Sequence, residues 1–302
     1  MRILITGGAG FIGSHLIEHF QNDAEIIVLD NLRSGYRKNL EGFAHQFIEG
    51  SITDRAAVDH AMEGVDLVFH LAAMISVPES MAAPSECVDI NVNGLLNVLE
   101  SAAIAGAKKL VLASSAAIYG DNPTVPKMET MIPEPKSPYA VTKLDGEYYL
   151  EMFRREHGLD TASLRFFNVF GPRQDPGSAY AAAIPIFLKQ AFAGEDITIF
   201  GDGEQTRDFI HVKDIVAALV HIATPGAHGT FNVGYGKSMT VNQLASDIIR
   251  LSSSSSEVVH LPERSGDVKH SRASIDKLLA SGFRHVSSLE EGLVETLDFF
   301  RP

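Results

Sequence analysis

Two side chains that could move a proton stand four apart in Tyr139-Ala140-Val141-Thr142-Lys143. Near the start of a helix, residues at that spacing share one face. An ammonium beside a phenol favours the phenolate, which would draw the tyrosine pKa down from about 10 toward a usable base. Upstream, Ser115 ends the run Ala113-Ser114-Ser115, and its hydroxyl could share a substrate hydroxyl with Tyr139. A different chemistry opens the chain. Gly7-Gly8-Ala9-Gly10-Phe11-Ile12-Gly13 fits both G-x-x-G-x-x-G and G-x-G-x-x-G. Glycines let the backbone approach a pyrophosphate closely, and the helix that follows points free N–H groups at it. Asp30 closes the next apolar run. Its carboxylate can accept both hydroxyls of an adenosine ribose and repels a 2′-phosphate, which favours NAD over NADP. Arg33 close by tempers that preference, and a turn cap is the plainer role for Asp30. A third pattern, His15-Leu16-Ile17-Glu18-His19, matches an inverted zinc-protease signature. Its helix opens at the glycine turn and must pack on a sheet, with no third ligand apparent. The histidines therefore read as solvated or core-edge, and no metal is expected.

Positioning these groups needs a particular scaffold. Short apolar β-type runs occur at residues 3–5, 26–29, 67–69 and 110–113, with a weaker one at 46–48 and another at 162–166. Between them lie segments such as 88–105 with apolar residues at helical spacing. Strands apolar on both faces and separated by helices predict a parallel sheet covered on each side. Right-handed crossovers make this a Rossmann-type doubly wound α/β fold, with chemistry at the carboxyl ends of the strands. After Asn168 the texture changes: Gly171-Pro172, Asp175-Pro176-Gly177 and Gly201-Asp202-Gly203 punctuate shorter elements. A smaller α/β C-terminal substrate lobe is expected there. The expected division is 1–167 plus about 209–233 for the dinucleotide domain, and 168–208 with 234–302 for the lobe. The serine run 252–256 reads as a surface loop.

Bulk properties narrow the partners. The net charge of −13 over 302 residues repels phosphate backbones and anionic lipid, so neither nucleic acid nor a membrane is expected as a partner. An anionic small molecule stays possible where arginines converge. Hydrophobic residues at 45% and charged residues at 21% are those of a globular protein. The single cysteine, Cys87, cannot form an internal disulfide, and no window is long and apolar enough for a signal or bilayer segment. The expected location is cytoplasmic.

The motifs together resemble a known family. The glycine turn, Asp30, His70-Leu71-Ala72-Ala73, Asn91-Val92-Asn93-Gly94, Ser114-Ser115-Ala116-Ala117-Ile118-Tyr119-Gly120-Asp121, Ser137-Pro138-Tyr139-Ala140-Val141-Thr142-Lys143 and Arg165-Phe166-Phe167-Asn168 are similar, in this order, to those of the extended short-chain dehydrogenase/reductases. Within these the chain resembles the UDP-glucose and UDP-N-acetylglucosamine 4-epimerases from Met1 to about Phe300. The resemblance implies catalysis by Ser115, Tyr139 and Lys143. Tyr139 would take the proton of the sugar 4-hydroxyl and Ser115 would hydrogen-bond the reacting oxygen. Lys143 would hold the nicotinamide ribose. Hydride would leave C4 for NAD and return to the other face of a 4-keto sugar. It further implies NAD contacts from Gly7, Gly10, Phe11, Ile12, Gly13, Asp30, Asn31 and Ser34 on the first two strands. Gly50, Ser51, Ile52, Leu71, Ala72, Ala73, Asn91, Tyr139, Lys143 and Phe166 complete that set. One departure stands out: members often carry Asp after the glycine at position 50, where it meets adenine, and here the residue is Ser51.

For the substrate the resemblance implies Ser76, Ser115, Tyr139, Asn168, Arg207, Arg264, Asp267 and Ser271. Arginines 207 and 264 would grip the diphosphate, Asp267 the uridine ribose, and Asn168 a diphosphate oxygen; a planar guanidinium suits phosphate. Related dehydratases and decarboxylases carry an acidic residue just after the catalytic serine or threonine. Ala116 and Ala117 cannot transfer a proton, which favours simple epimerisation. Glucose-restricted relatives place a tyrosine at position 271, whereas Ser271 leaves room for an N-acetyl group; Ile75 could narrow that room. The alternatives are a UDP-uronic acid 4-epimerase and a non-catalytic NAD-sensing protein. Family precedent implies a homodimer paired through helices at 88–105 and 139–156, although their apolar stripes could equally be core.

Overall fold

Runs of Ile, Val and Leu become central strands because branched side chains pack well on both faces of a covered pleat. The computed structural model describes residues 1–176, 183–263 and 269–301. Its first half runs β1 (Arg2–Thr6), α1 (Phe11–Phe20), β2 (Glu25–Asp30), β3 (Gln46–Glu49), α2 (Arg55–Ala61), β4 (Leu67–His70), α3 (Val77–Ala82), α4 (Pro84–Val88), α5 (Gly94–Ala105), β5 (Lys109–Ser115), α6 (Pro138–His157) and β6 (Asp160–Phe166). The remainder adds β7 (Asn168–Phe170), α7 (Ala183–Ala193), β8 (Ile197–Phe200), β9 (Thr206–Arg207), β10 (Phe209–His211), α8 (Val212–Ile222), β11 (Gly229–Val233), β12 (Met239–Thr240), α9 (Val241–Ser252), β13 (Val258–Leu261), α10 (Asp276–Ala280) and α11 (Leu289–Phe300).

The chain forms two compact units. The first comprises Met1–Gly120, Ile132–Phe166 and Val216–Phe231. Its seven-stranded sheet has the order β11-β6-β5-β4-β1-β2-β3, and the pairings from β3 through β6 are parallel. The strand order reverses between β1 and β4, the switch point at which doubly wound sheets bind ligands. Leu4, Ile27, Val68 and Leu110 from the strands pack with Val58, Leu95, Leu99 and Leu150 from α2, α5 and α6. Full burial of each such side chain is worth about 1.5–3 kcal/mol.

The helix expected over 88–105 is present and carries a π-helical turn. Residues Asp89–Asn93 form a π-helical turn between α4 and α5. Its physical reason is Asn91, whose Nδ2 donates to the Met74 carbonyl (3.0 Å) and to Thr142 Oγ1 (3.0 Å), while Oδ1 accepts from Met74 N (2.7 Å). A wider turn swings this side chain inward to bridge the loop after β4 and helix α6.

The second unit comprises Asp121–Met131, Phe167–Ile215 and Asn232–Pro302. Within it β8 pairs in parallel with β13 and β7 with β10, and β9 lies antiparallel to β12. Phe170, Phe187, Leu188, Ile197, Leu244, Ile248, Leu293 and Leu297 form its core. The segment 121–131, placed by sequence in the first domain, belongs here. Lys127 N donates to Arg272 O and Ser274 N to Lys127 O, both at 2.8 Å, and Asn232 Nδ2 donates to Lys127 O at 2.9 Å. No helix among the described residues is long and apolar enough to cross a membrane.

Candidate active site

The dinucleotide turn is built by steric exclusion. Gly7 has φ +71°, and a β-carbon there would sit 2.7 Å from Ala72 N. A β-carbon on Gly13 would lie 2.5 Å from Gly7 O and 2.6 Å from Gly8 Cα. Both positions therefore admit only hydrogen, so β1, α1 and the loop after β4 close together. Helix α1 begins at Phe11 with Gly10 as its N-cap and no side-chain cap, so its first N–H groups are available to an anion. Asp30 lies at the end of β2, buried, and its Oδ2 accepts from Ala9 N (2.9 Å) and Oδ1 from Leu32 N (2.7 Å). The turn-cap role is thus real, yet a carboxylate has about four acceptor sites, and two remain for ribose hydroxyls. Burial pushes the Asp30 pKa up, and the two N–H bonds oppose it. These features fit a bound NAD.

The other expected cofactor residues surround this turn. Asn31 Oδ1 accepts from Arg33 N at 3.1 Å, and Gly50 N donates to Asp30 O at 3.2 Å. Ser51 is turned onto its own loop, bonding Thr53 Oγ1 at 2.8 Å. Ile52 is buried against Gly94, where a β-carbon would meet its Cδ1 at 2.7 Å. Leu71 N donates to Thr6 O (3.1 Å) and Ala72 N to Thr6 Oγ1 (3.3 Å), so β1 sets the path of the loop through Ala73. Ser34 is exposed. Asn91 spends its amide on Met74 and Thr142, as described above, which makes it a brace for the loop. Phe166 stands in register beside Ser115.

The catalytic candidates meet at the carboxyl end of β5. Ser137 caps α6, its Oγ accepting from Ala140 N at 3.2 Å, and Pro138 opens the first turn. That start places Tyr139 and Lys143 one turn apart on one face. Ser115 Oγ accepts from Ala117 N at 3.1 Å and is hydrogen-bonded to Tyr139. Lys143 Nζ donates to Ala113 O at 2.9 Å and lies 5.8 Å from the centre of the Tyr139 ring. Burial dominates both pKa values: it raises Tyr139 against the Ser115 hydrogen bond, and it lowers Lys143 to about 8. The expectation of a phenol lowered by Lys143 is therefore corrected, because desolvation of the phenolate outweighs the one lowering contribution, the Ser115 hydrogen bond. His70 is buried beside them, with Nδ1 2.9 Å from Thr6 Oγ1; burial, then the Lys143 charge, drops its pKa to about 3.

Sequence reasoning missed the cluster that braces this site. Glu147 accepts from Ser114 Oγ (2.6 Å) and from Arg165 through Nε (2.9 Å) and Nη2 (2.7 Å). Arg165 Nη1 also donates to Tyr119 OH at 2.9 Å, and all four side chains are buried. The available signal was position: Glu147 lies one turn beyond Lys143, and Ser114 precedes Ser115.

In the second unit, Arg207 and Ser271 are brought near one another. Thr206 N donates to Lys269 O (2.9 Å) and Ser271 N to Thr206 O (3.0 Å). Arg207 Nη1 donates to Thr206 O at 3.0 Å. Asn168 Nδ2 donates to Asp208 O at 3.1 Å. Asp208 itself, unflagged by sequence, accepts from Tyr235 N (2.7 Å), Ala273 N (2.9 Å) and Gly236 N (3.1 Å), and burial lifts its pKa to about 6. Arg264 and Asp267 lie outside the described residues, as do residues 177–182. In the first unit Ser76 caps α3, accepting from Glu79 N at 3.1 Å, and Ile75 is 63% exposed. The zinc-like pattern resolves into local contacts: His15 Nδ1 lies 3.6 Å from Glu18, and His19 packs edge-on to Phe20. Among the described residues no group of three or more His, Cys, Asp or Glu could hold a metal ion.

This geometry has relatives. A UDP-N-acetylglucosamine 4-epimerase from Methanobrevibacter ruminantium M1, solved in complex with UDP-N-acetylmuramic acid, is 41% identical with TM-score 0.96, over 99% of this chain and 97% of that one. A UDP-glucose 4-epimerase from Thermotoga maritima, solved with UDP-glucose, is 42% identical with TM-score 0.95, over 100% and 99%. A UDP-N-acetyl-alpha-D-glucosaminuronate decarboxylase of Bacillus cytotoxicus is 33% identical over 99% of this chain and 98% of its own length. The model of the NAD dependent epimerase/dehydratase family matches residues 3–234, and with the glycine turn, Asp30 and the Ser115–Tyr139–Lys143 group in place the chain belongs to that family.

Proposed function

We propose that the protein is a UDP-sugar 4-epimerase that inverts C4 of a UDP-hexose through a transient 4-keto sugar. The observation that carries this is the assembled Ser115–Tyr139–Lys143 group followed by Ala116 and Ala117, which offers one acid–base residue and no second acid for elimination or decarboxylation. Tyr139 takes the 4-hydroxyl proton and returns it when the alcohol re-forms. Ser115, bonded to the phenol, shares the reacting oxygen. Lys143, pinned to Ala113 O, presents its ammonium to the nicotinamide ribose. Gly7, Gly10, Gly13 and Asp30 would hold NAD, which would supply a hydride acceptor and donor for C4 and a positive charge favouring the phenolate.

In this reading residues 1–120, 132–167 and about 209–233 serve the dinucleotide, and 121–131, 168–208 and 234–302 serve the sugar nucleotide. Asn168, Arg207 and Arg264 hold the diphosphate, Asp267 the uridine ribose, and Ser76 and Ser271 line the sugar. Ser271 admits both plain and N-acetylated hexoses. The protein acts as a homodimer in the cytoplasm. The test is incubation with UDP-glucose, UDP-N-acetylglucosamine and UDP-glucuronic acid without added NAD, resolving epimers by chromatography. Interconversion at C4 with no net NADH is expected; stoichiometric NADH or carbon dioxide would sink the epimerase reading.

A further inference from the structure

Arg33 stands three residues after Asp30, where an arginine can accept the 2′-phosphate of NADP. Its loop is held at the adenosine end of the site. Leu32 N and Arg33 N bond Asp30 Oδ1 (2.7 Å) and Asn31 Oδ1 (3.1 Å), and Tyr36 N returns to Ala9 O (3.0 Å) on the glycine turn. The guanidinium, however, is committed elsewhere. Nη1 donates to Glu86 Oε1 at 2.5 Å on α4, and Nη2 to Glu79 Oε1 at 2.7 Å on α3. Two carboxylates hold one cation, so the trio keeps a net negative charge near Asp30. A 2′-phosphate would have to displace two carboxylates to reach Arg33 and would face that residual charge while doing so. Glu86 and then Glu79 also hold the Arg33 pKa above its ordinary value. The three side chains are 37–48% exposed, and pairs of that kind add little to stability, so the fork can be cut without unfolding the protein.

We propose that Glu79 and Glu86 are specificity residues for the cofactor, excluding NADP by sequestering Arg33. The inference rests on the β2 end being the adenosine ribose site. The experiment measures dissociation constants of NAD and NADP by titration calorimetry for the wild type, for Glu79→Gln/Glu86→Gln, and for that pair combined with Arg33→Ala. The expected result is a fall of about tenfold or more in the ratio of the NADP to the NAD constant in the double variant. The triple variant should return toward the wild-type ratio. An unchanged ratio in the double variant would overturn the proposal. So would a gain that persists without Arg33, since charge removal alone would then explain it. A wild-type protein that binds neither dinucleotide would overturn the ribose-site reading, and the proposal with it.

Discussion

Tyr139 begins above its ordinary pKa, because burial of the phenolate outweighs the Ser115 hydrogen bond. If Tyr139 is the proposed base, the positive charge of a bound NAD would favour its phenolate, beside a Lys143 whose pKa burial lowers to about 8. Tyr139→Phe removes one hydroxyl and no packing. It should lower turnover by roughly a hundredfold or more, with folding and NAD content kept. Near-normal turnover in a folded variant would place the base elsewhere. Ser271 tests substrate breadth at the same scale. Its backbone is tied to Thr206 O, so the side chain projects from a fixed strand-like segment beside Arg207. Ser271→Tyr should abolish most turnover of UDP-N-acetylglucosamine while UDP-glucose turnover stays measurable, since in the proposed site the ring would fill the room an N-acetyl group needs, and such overpacking costs about 1–3 kcal/mol. Equal loss on both substrates would remove Ser271 as the gate.

At the scale of elements, α6 matters most, and its register on β5 and β6 depends on Glu147. Glu147→Gln keeps the volume but sets an amide N–H against Arg165 Nη2, leaving a buried cation unmatched. A loss of about 3–5 kcal/mol is expected in urea unfolding, and replacing both partners by apolar residues should recover much of it. A midpoint equal to wild type would show the pair is not the clamp. His70 joins β4 to β1 and gives a pH signature. Its folded pKa of about 3 lies below the ordinary 6.5, so the unfolded chain binds a proton that the folded chain refuses. Stability should fall as pH drops from 6.5 toward 3 and gain nothing above 6.5. His70→Asn should flatten that limb in urea midpoints measured across the window; an identical slope would refute the assignment. These elements also show what a sequence makes legible. The strands, the glycine turn, Asp30 and the Tyr139–Lys143 spacing follow from local rules of period and sterics. The π turn at 89–93 does not, because it depends on Asn91 finding Met74 and Thr142, seventeen and fifty-one residues away. Glu147 was equally silent, and Arg165 was visible only as part of a motif, not as its partner, until α6 and β6 bury them together. The same holds for 121–131, whose place is set by pairing with residues 272–274.

The whole molecule carries a net charge of −13, which keeps copies apart unless a specific apolar face overrides it. Exposed apolar residues on α6 are where the proposed homodimer contact is tested. On α6, Val141, Tyr148 and Met152 are 42%, 58% and 55% exposed, and their spacing of seven and four places them along one stripe. Ile104 on α5, which packs against α6, is 79% exposed, and Val88 on α4 is 44% exposed. On α5 and α6, Leu95, Leu99 and Leu150 are core, while Ile104, Val141, Tyr148 and Met152 are turned outward. An exposed apolar row along α6 suits a two-fold contact, in which each copy supplies the same patch. Light scattering of the eluted protein should give the mass of two chains. Tyr148→Lys with Met152→Glu places charges at the centre of the stripe, where a stable dimer would bury on the order of 1,200–2,000 Å² in total. That variant should elute as a folded monomer with an unchanged circular dichroism spectrum. A dimer that survives both charges would move the contact off α6, and a wild-type monomer at assay concentration would remove it altogether.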